Sequence, residues 1–211
     1  MTKCPATRSA LCGAALALLL GGCTTVVPTI ERWDPAPVGA VWSAQQRNTG
    51  SYGADMVTAT TRAADVVWNG APALALKMGA RTLLQRPTDG SWLALLGADG
   101  KPLFTYDPPL GFPMPATVGT RWKRLQKMTN LTNGRTTEWE WNCQVVAYEK
   151  VAVPAGTFDA FRTECTSSLD AQDTYWTSPK VHPFLKTKLV RGPKHPAGPG
   201  TSETELLKLP S

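Results

Sequence analysis

The chain has 211 residues, with 22 Lys and Arg against 16 Asp and Glu, and a formal net charge of +6. This modest positive balance allows weak attraction to anionic lipid or glycan and does not by itself indicate nucleic acid. Its only histidines, His182 and His195, lie beside prolines, outside any His-Glu-x-x-His or paired-cysteine pattern. We therefore predict no metal, no cofactor and no nucleic-acid partner.

Residues 1–22 have the form of a secretory signal peptide. Lys3 and Arg8 precede an apolar run that ends at Leu20. This run is shorter than the about 20 apolar residues that a membrane helix needs. We expect residues 1–22 to be removed from the mature protein.

The four residues Leu20-Gly21-Gly22-Cys23 resemble the lipobox of bacterial lipoproteins. The resemblance implies lipidation of Cys23, with a diacylglycerol on its thiol, cleavage before it and acylation of the new amino terminus. Two or more acyl chains give a stable membrane anchor. Thr24 and Thr25 then imply sorting to the outer membrane, on its periplasmic face. An ordinary signal peptide with a chance cysteine is the alternative.

Cysteine usage fits an exported protein. Cys4 and Cys12 leave with the signal and Cys23 carries lipid. Cys143 and Cys165 remain as one possible disulfide pair in an oxidising compartment.

Three segments follow from these observations. Residues 1–22 are the signal peptide, residues 23–37 are the acylated cysteine with a Pro-rich, semi-rigid stalk, and residues 38–211 form one antiparallel β domain.

The β domain is predicted from its turns. Four Asn-Gly or Asp-Gly dipeptides, which two-residue hairpin turns favour because both residues need positive φ, separate short runs rich in Val, Thr, Trp and Leu. We predict about ten strands in an all-β antiparallel domain, either a two-sheet sandwich or a curved sheet closing towards a barrel. The dipeptides are Asn69-Gly70, Asp89-Gly90, Asp99-Gly100 and Asn133-Gly134, and the runs are Met56–Thr61, Ala73–Met78, Trp92–Leu96 and Leu103–Tyr106.

Two further features concern the halves of the domain. Residues 107–115 contain four prolines, which remove hydrogen-bond donors, so we predict a long crossing loop there, between the two halves.

Residues 35–42 and 115–122 share five identities in eight positions. A duplication and a generic strand entrance both explain this similarity.

A hairpin is predicted around Pro154. Trp139, Trp141, Cys143 and Val145 share one strand face by period-2 alternation. Pairing Cys143 with Cys165 places Val145 opposite Thr163 and Ala147 opposite Phe161, and centres the hairpin on Pro154.

The Pro154-Ala155-Gly156 motif is interpreted as the turn of this hairpin. Pro154 fixes φ and Gly156 supplies a permissive conformation. An anion-binding loop would need a helix amino terminus behind it, whereas residues 158–161 have a strand pattern.

Residues 151–161, together with Val-Gly-x-x-Trp at 118–122 and the aromatic segment 175–179, resemble uncharacterised bacterial envelope proteins classed under domains of unknown function. The resemblance implies export and a curved antiparallel sheet. It supplies no site residues, and this chain departs from the pattern after Pro179.

Catalytic patterns are sparse, and we predict that the protein is not an enzyme. Asp170 and Asp173 are either a carboxylate pair or, as we favour, part of a solvated loop. The possible ligand-binding residues are Trp176, Lys186, Lys188 and Arg191, because tryptophan stacks on sugar rings and a basic run contacts anionic lipid or peptidoglycan.

Three functions are weighed. The favoured one is a noncatalytic, lipid-anchored envelope protein with a structural role or with an apolar ligand or partner in its concavity. The second is a glycan or peptidoglycan-binding module, and the third is a hydrolase with an unfamiliar site.

Overall fold

The structure, a computed structural model, describes residues 28–179 and 181–211, without the side chains of residues 182 and 183. In these ranges twelve antiparallel strands pair in consecutive order, and β1 pairs with β12 to close a barrel. The strands are β1 (Val41–Gly50), β2 (Met56–Trp68), β3 (Ala71–Met78), β4 (Arg81–Gln85), β5 (Trp92–Leu96), β6 (Pro102–Leu110), β7 (Arg121–Asn130), β8 (Thr136–Val153), β9 (Gly156–Ser167), β10 (Ala171–Ser178), β11 (Val181–Arg191) and β12 (Gly200–Lys208). The all-β prediction is confirmed, and the sheet closes into a barrel.

No helix in the described ranges is long and apolar enough to cross a membrane. The predicted signal peptide, residues 1–22, and the predicted lipidation site, Cys23, lie outside the described residues.

All four Asn-Gly and Asp-Gly dipeptides lie between consecutive strands, but only Asn69-Gly70 forms the predicted two-residue turn, and the other three lie in loops of five or six residues. Asn69 and Gly70 join β2 to β3 with φ values of 48° and 81°, the double positive φ of a type I′ hairpin. Gly90 has a second constraint, because a Cβ there would lie 2.6 Å from the ring of Trp33. The turn before β5 therefore needs glycine both for its conformation and for this contact.

One face of every strand points into the barrel. Several directly opposed pairs are buried, namely Trp42 with Thr60, Leu76 with Leu83 and Cys143 with Cys165. Because side chains alternate along a strand, these residues and the residues in phase with them on the other strands form a set that marks the interior. The set comprises Trp42, Thr60, Leu76, Leu83, Leu95, Phe104, Met128, Cys143, Cys165, Asp173, Leu189 and Ser202.

The predicted hairpin and its disulfide are present. Cys143 lies opposite Cys165, with Cα atoms 4.1 Å apart and an S–S bond of 2.03 Å. Val145 lies opposite Thr163 as predicted, but a β-bulge follows, so Phe161 pairs with Tyr148 instead of Ala147. The extra residue of the bulge moves the register by one position.

The tip of this hairpin closes one end of the barrel. Beyond Val145 and Phe161 the pairing of β8 with β7 and of β9 with β10 has ended, which leaves a two-stranded ribbon, residues 147–160. Its Val151, Val153 and Ala160 pack in the interior cluster, and the Ala155 N–H donates to the Leu206 carbonyl over 3.1 Å. The Pro154-Ala155 turn is thus a packed hairpin tip.

The Pro-rich segment differs from its prediction. β6 continues to Leu110, and β6 and β7 are neighbours, so the segment does not cross between distant strands. Prolines keep their carbonyl acceptors, and those of Pro108 and Pro109 accept hydrogen bonds from the side chains of Gln126 and Arg124. Side chains of β7 thereby replace the backbone ladder where proline cannot donate.

The loop after β6 enters the barrel through Phe112. Its ring centroid lies 5.6 Å from Trp122, 5.8 Å from Trp141 and 5.1 Å from Tyr175, all on the interior face. A further contact at 5.8 Å joins it to Phe184. Such edge-to-face and tilted pairs add to the stability gained from burial.

The similarity of residues 35–42 and 115–122 extends to their structure. Gly39 and Gly119 have φ values of 93° and 95° in turns that precede β1 and β7. The Gly39 N–H donates to Arg62 over 2.8 Å and the Gly119 N–H to Val145 over 2.8 Å, and a β-bulge follows each acceptor. Shared turns, hydrogen bonds and bulges support a duplication of six strands, β1–β6 and β7–β12.

The described part of the predicted stalk, residues 28–37, lies against the barrel. Ile30 forms two backbone hydrogen bonds with Ala116, of 2.8 and 3.0 Å, and the Thr117 hydroxyl donates to the Pro28 carbonyl over 3.1 Å. The carboxyl terminus lies at the same barrel end, where Ser211 and Val41 exchange backbone hydrogen bonds.

Candidate functional site

A shallow, open groove of about 590 Å³ lies on the outer face of β7, β8 and β9. Its polar side chains alternate with the interior residues Trp122, Cys143 and Cys165, so they point away from the core. The lining residues on this outer face are Arg121, Lys123, Asn142, Gln144, Glu164 and Thr166, with Val146 at the bulge. The groove therefore presents amide, hydroxyl and charged groups beside aliphatic stems.

Ion pairs neutralise most charges around this groove. Lys123 lies 2.6 Å from Glu140, and the hydrogen bond from Lys123 lowers the pKa of that carboxyl. Arg162 is paired with Glu164 and, over 3.1 Å, with Glu149. Arg121 has no ion pair within residues 28–179 and 181–211. Neutral and ion-paired groups make the surface suited to a polar partner rather than a strongly charged one.

Trp176, predicted as a possible ligand-binding residue, is held within the fold. Its indole N–H donates to Glu149 over 2.9 Å, and Lys186 lies 5.9 Å from its ring centroid. The side chain is half-buried against the interior cluster. These contacts connect β10 to the ribbon. They also occupy the indole N–H and the ring of Trp176, which a bound sugar would need.

The predicted basic segment is paired with acids of β12. Lys186 lies 2.8 Å from Glu205 and Lys188 lies 2.8 Å from Glu203. Arg191 instead stacks over the Tyr52 ring at 3.9 Å. The structure thus brings Trp176 and Lys186 together, whereas Lys188 and Arg191 have separate partners.

A buried carboxyl was missed at the sequence level. Asp173 does not lie in a solvated loop: it is on the interior face of β10, opposite Cys165 and Leu189. Burial raises its pKa to about 6, against the opposing effects of hydrogen bonds from Tyr175 and Trp141 and of the Arg191 charge. Asp170 is separate, since its carboxylate accepts from the Lys194 N–H over 2.8 Å. The sequence did contain one signal for this position: on a strand, Asp173 shares a face with Tyr175, two residues later.

Replacing Asp173→Asn is expected to raise stability at neutral and alkaline pH. An Asp whose folded pKa exceeds its unfolded value contributes stability that is full below about pH 4 and is lost as pH rises through about 6. A pKa difference of about two between the folded and unfolded states corresponds to about 2–3 kcal/mol in the free energy of unfolding. Urea unfolding should show this gain at about pH 8 and little difference near pH 4; a gain of equal size at both pH values would contradict the assignment.

Among the residues that the structure describes, no group of three His, Cys, Asp or Glu side chains is placed to hold a metal ion. The His195 ring accepts a hydrogen bond from the Ala197 N–H over 3.1 Å, and its pKa is lowered by burial.

The fold is similar to that of solved structures. An exported-protein candidate with YmcC-like fold from Bacteroides fragilis superposes with a TM-score of 0.51 at 12% identity, over 85% of this chain and 99% of that chain. Lower TM-scores are found for a lipoprotein candidate from Parabacteroides distasonis (0.43; 14% identity; 83% and 96% of the two chains) and the hypothetical lipoprotein YmcC from Escherichia coli (0.45; 12%; 84% and 91%).

No protein-family model matches the chain. No curated protein matches it either. The similarity to the Bacteroides fragilis structure indicates the class of fold, and this chain is a closed twelve-stranded barrel of the YmcC-like type.

Proposed function

We propose that this chain is a lipid-anchored, noncatalytic protein on the periplasmic face of the bacterial outer membrane, where it binds an envelope protein through the groove on β7–β9. The observation that carries the binding role is this groove of about 590 Å³, placed on the outside of a barrel whose interior is packed with side chains. A filled interior leaves outer surfaces for recognition.

The lining supports a protein partner. Asn142 and Gln144 present amides, which can pair with backbone and side-chain groups of a polar loop.

The anchoring role rests on the sequence pattern that ends at Cys23. The Bacteroides fragilis protein of similar fold is described as exported, which is consistent with the same compartment. The disulfide between Cys143 and Cys165 fits an oxidising environment.

The glycan-binding alternative is less well supported. It relied on a free Trp176 face and a free basic segment, and both have partners within the fold.

Cys23→Ser is expected to move the protein from the membrane pellet to the soluble fraction, because the acyl chains supply the anchor. The membrane-extracted wild type should show by intact mass the added lipid and the loss of two hydrogens in the disulfide. Cys4→Ser is the matched control, since that cysteine is expected to leave with the signal. Membrane retention of the Cys23→Ser protein would rule out this anchor.

Binding through the groove is tested by crosslinking in cells. A photo-crosslinking amino acid at Gln144 should give a discrete protein adduct, and the same group at the exposed Val57 of β2 should not. Asn142→Arg should abolish the Gln144 adduct by filling the groove.

Two results would overturn the protein-binding proposal. One is the absence of any adduct at Gln144. The other is an adduct that muramidase removes, which would indicate a glycan ligand instead.

A further inference from the structure

We propose that the barrel end at which β1 and β7 begin docks on the lipid surface, with Val38 and Val118 at the headgroup level. The inference rests on the lipid anchor proposed above. It adds an orientation and a contact surface, which lipidation alone does not specify.

The connection between the barrel and the anchor is short. Five residue steps separate Cys23 from Pro28, and each spans at most about 3.3–3.6 Å, so the connection reaches at most about 18 Å. Pro28 is fixed on the barrel, because its carbonyl accepts from Thr117 and Ile30 pairs with Ala116. The acyl chains therefore hold the Thr117–Val118 turn near the bilayer.

The two repeated turns, at Gly39 and Gly119, lie at one end of the barrel. Odd-numbered strands of an up-and-down barrel run in one direction, so the turns before β1 and β7 lie at the same end. β1 has ten residues and is about 33 Å long at about 3.3 Å per residue. The opposite end of the barrel is consequently farther from Pro28 along the strands than the connection can reach.

Apolar side chains are exposed at this end of the barrel. Val38 is 57% exposed and Val118 is 36% exposed, at equivalent positions of the two repeated turns. Val41 and Leu209 are exposed at the same end. Apolar side chains at this place gain free energy when they enter the headgroup and acyl boundary.

Charge plays little part in this contact. Glu31 and Asp34 offset Arg32 and Arg121 in the segments that flank the two turns, and Lys150 pairs with Asp159 over 2.9 Å on the ribbon that leaves this end of the barrel. We therefore expect docking to depend weakly on salt and on anionic lipid.

The test uses the full, acylated chain in vesicles of phosphatidylethanolamine and phosphatidylglycerol. A nitroxide is attached to Val118→Cys, to Val38→Cys or, as the control at the opposite end, to Lys101→Cys, whose native side chain is 83% exposed. Cys143 and Cys165 are bonded to each other, so with Cys23 acylated the added thiol alone is labelled. The collision rates of the nitroxide with oxygen and with a water-soluble nickel complex measure how deep the label lies in the bilayer.

We expect the labels at Val118 and Val38 to be protected from nickel several-fold more than the label at Lys101, at low and high salt alike. Equal protection of all three labels would show a barrel lying on its side, and no protection at either valine would show a barrel held away from the surface. Both results overturn the docking inference while intact mass still shows the lipid. A mass without lipid would instead refute the proposed anchor.

Discussion

Phe161→Ala is expected to destabilise the protein by about 3–5 kcal/mol, the range for removing a fully buried aromatic ring. Phe161 is 1% exposed, and its ring centroid lies 4.7 Å from that of Tyr148. It packs with Ala116 and Val145 at the place where β9 leaves the barrel. The cavity would loosen the base of the ribbon as well as the core.

Urea unfolding of the Phe161→Ala protein measures this loss. Phe161→Leu keeps most of the volume and should lose less than about 1.5 kcal/mol. Val67→Ala is the surface control, because Val67 is 74% exposed. A loss below about 1 kcal/mol for Phe161→Ala would show that the neighbouring segments collapse into the space.

Removing the disulfide by Cys143→Ala with Cys165→Ala is expected to cost about 3 kcal/mol. The two cysteines are 22 residues apart, and a closed loop of that size restricts the unfolded chain by about this amount on the chain-entropy model. The bond also joins β8 to β9 just before the bulge at which the ribbon begins.

Unfolding with and without reductant provides the control for the disulfide. Reductant should weaken the wild type by a similar amount and leave the double variant unchanged. If full reduction of the wild type, verified by thiol titration, left its unfolding midpoint unaltered, the bond would have no stabilising role.

The fold could be predicted because its signals are local. Period-2 alternation and Asn-Gly turns specify strands and hairpins, and the placement of Cys143 opposite Cys165 followed from the alternating pattern. The predicted register is wrong at Ala147, because no residue type in the sequence indicates the bulge after Val145. The proline carbonyls of β6 are also satisfied by side chains of another strand, which a single segment does not show.

The candidate site was less predictable. The groove is lined by residues such as Asn142 and Gln144, whose alternation is typical of any solvent-facing strand, and its concavity comes from the tertiary arrangement. Asp173 was assigned to solvent because carboxylates are seldom buried. Trp176 and Lys186 were predicted as possible ligand-binding residues from their side-chain types, but their partners could not be predicted: Glu149, which accepts from Trp176, comes from the ribbon, and Glu205, which pairs with Lys186, comes from β12.

The repeated turns at Gly39 and Gly119 bear on how such a barrel could arise. A single six-stranded half would expose two unpaired edges, β1 and β6, each a template for association. Two identical halves would cover one another's edges through the pairings that now join β6 to β7 and β12 to β1. Each half therefore supplies the edge strands that the other half needs, and the barrel closes only when both halves are present.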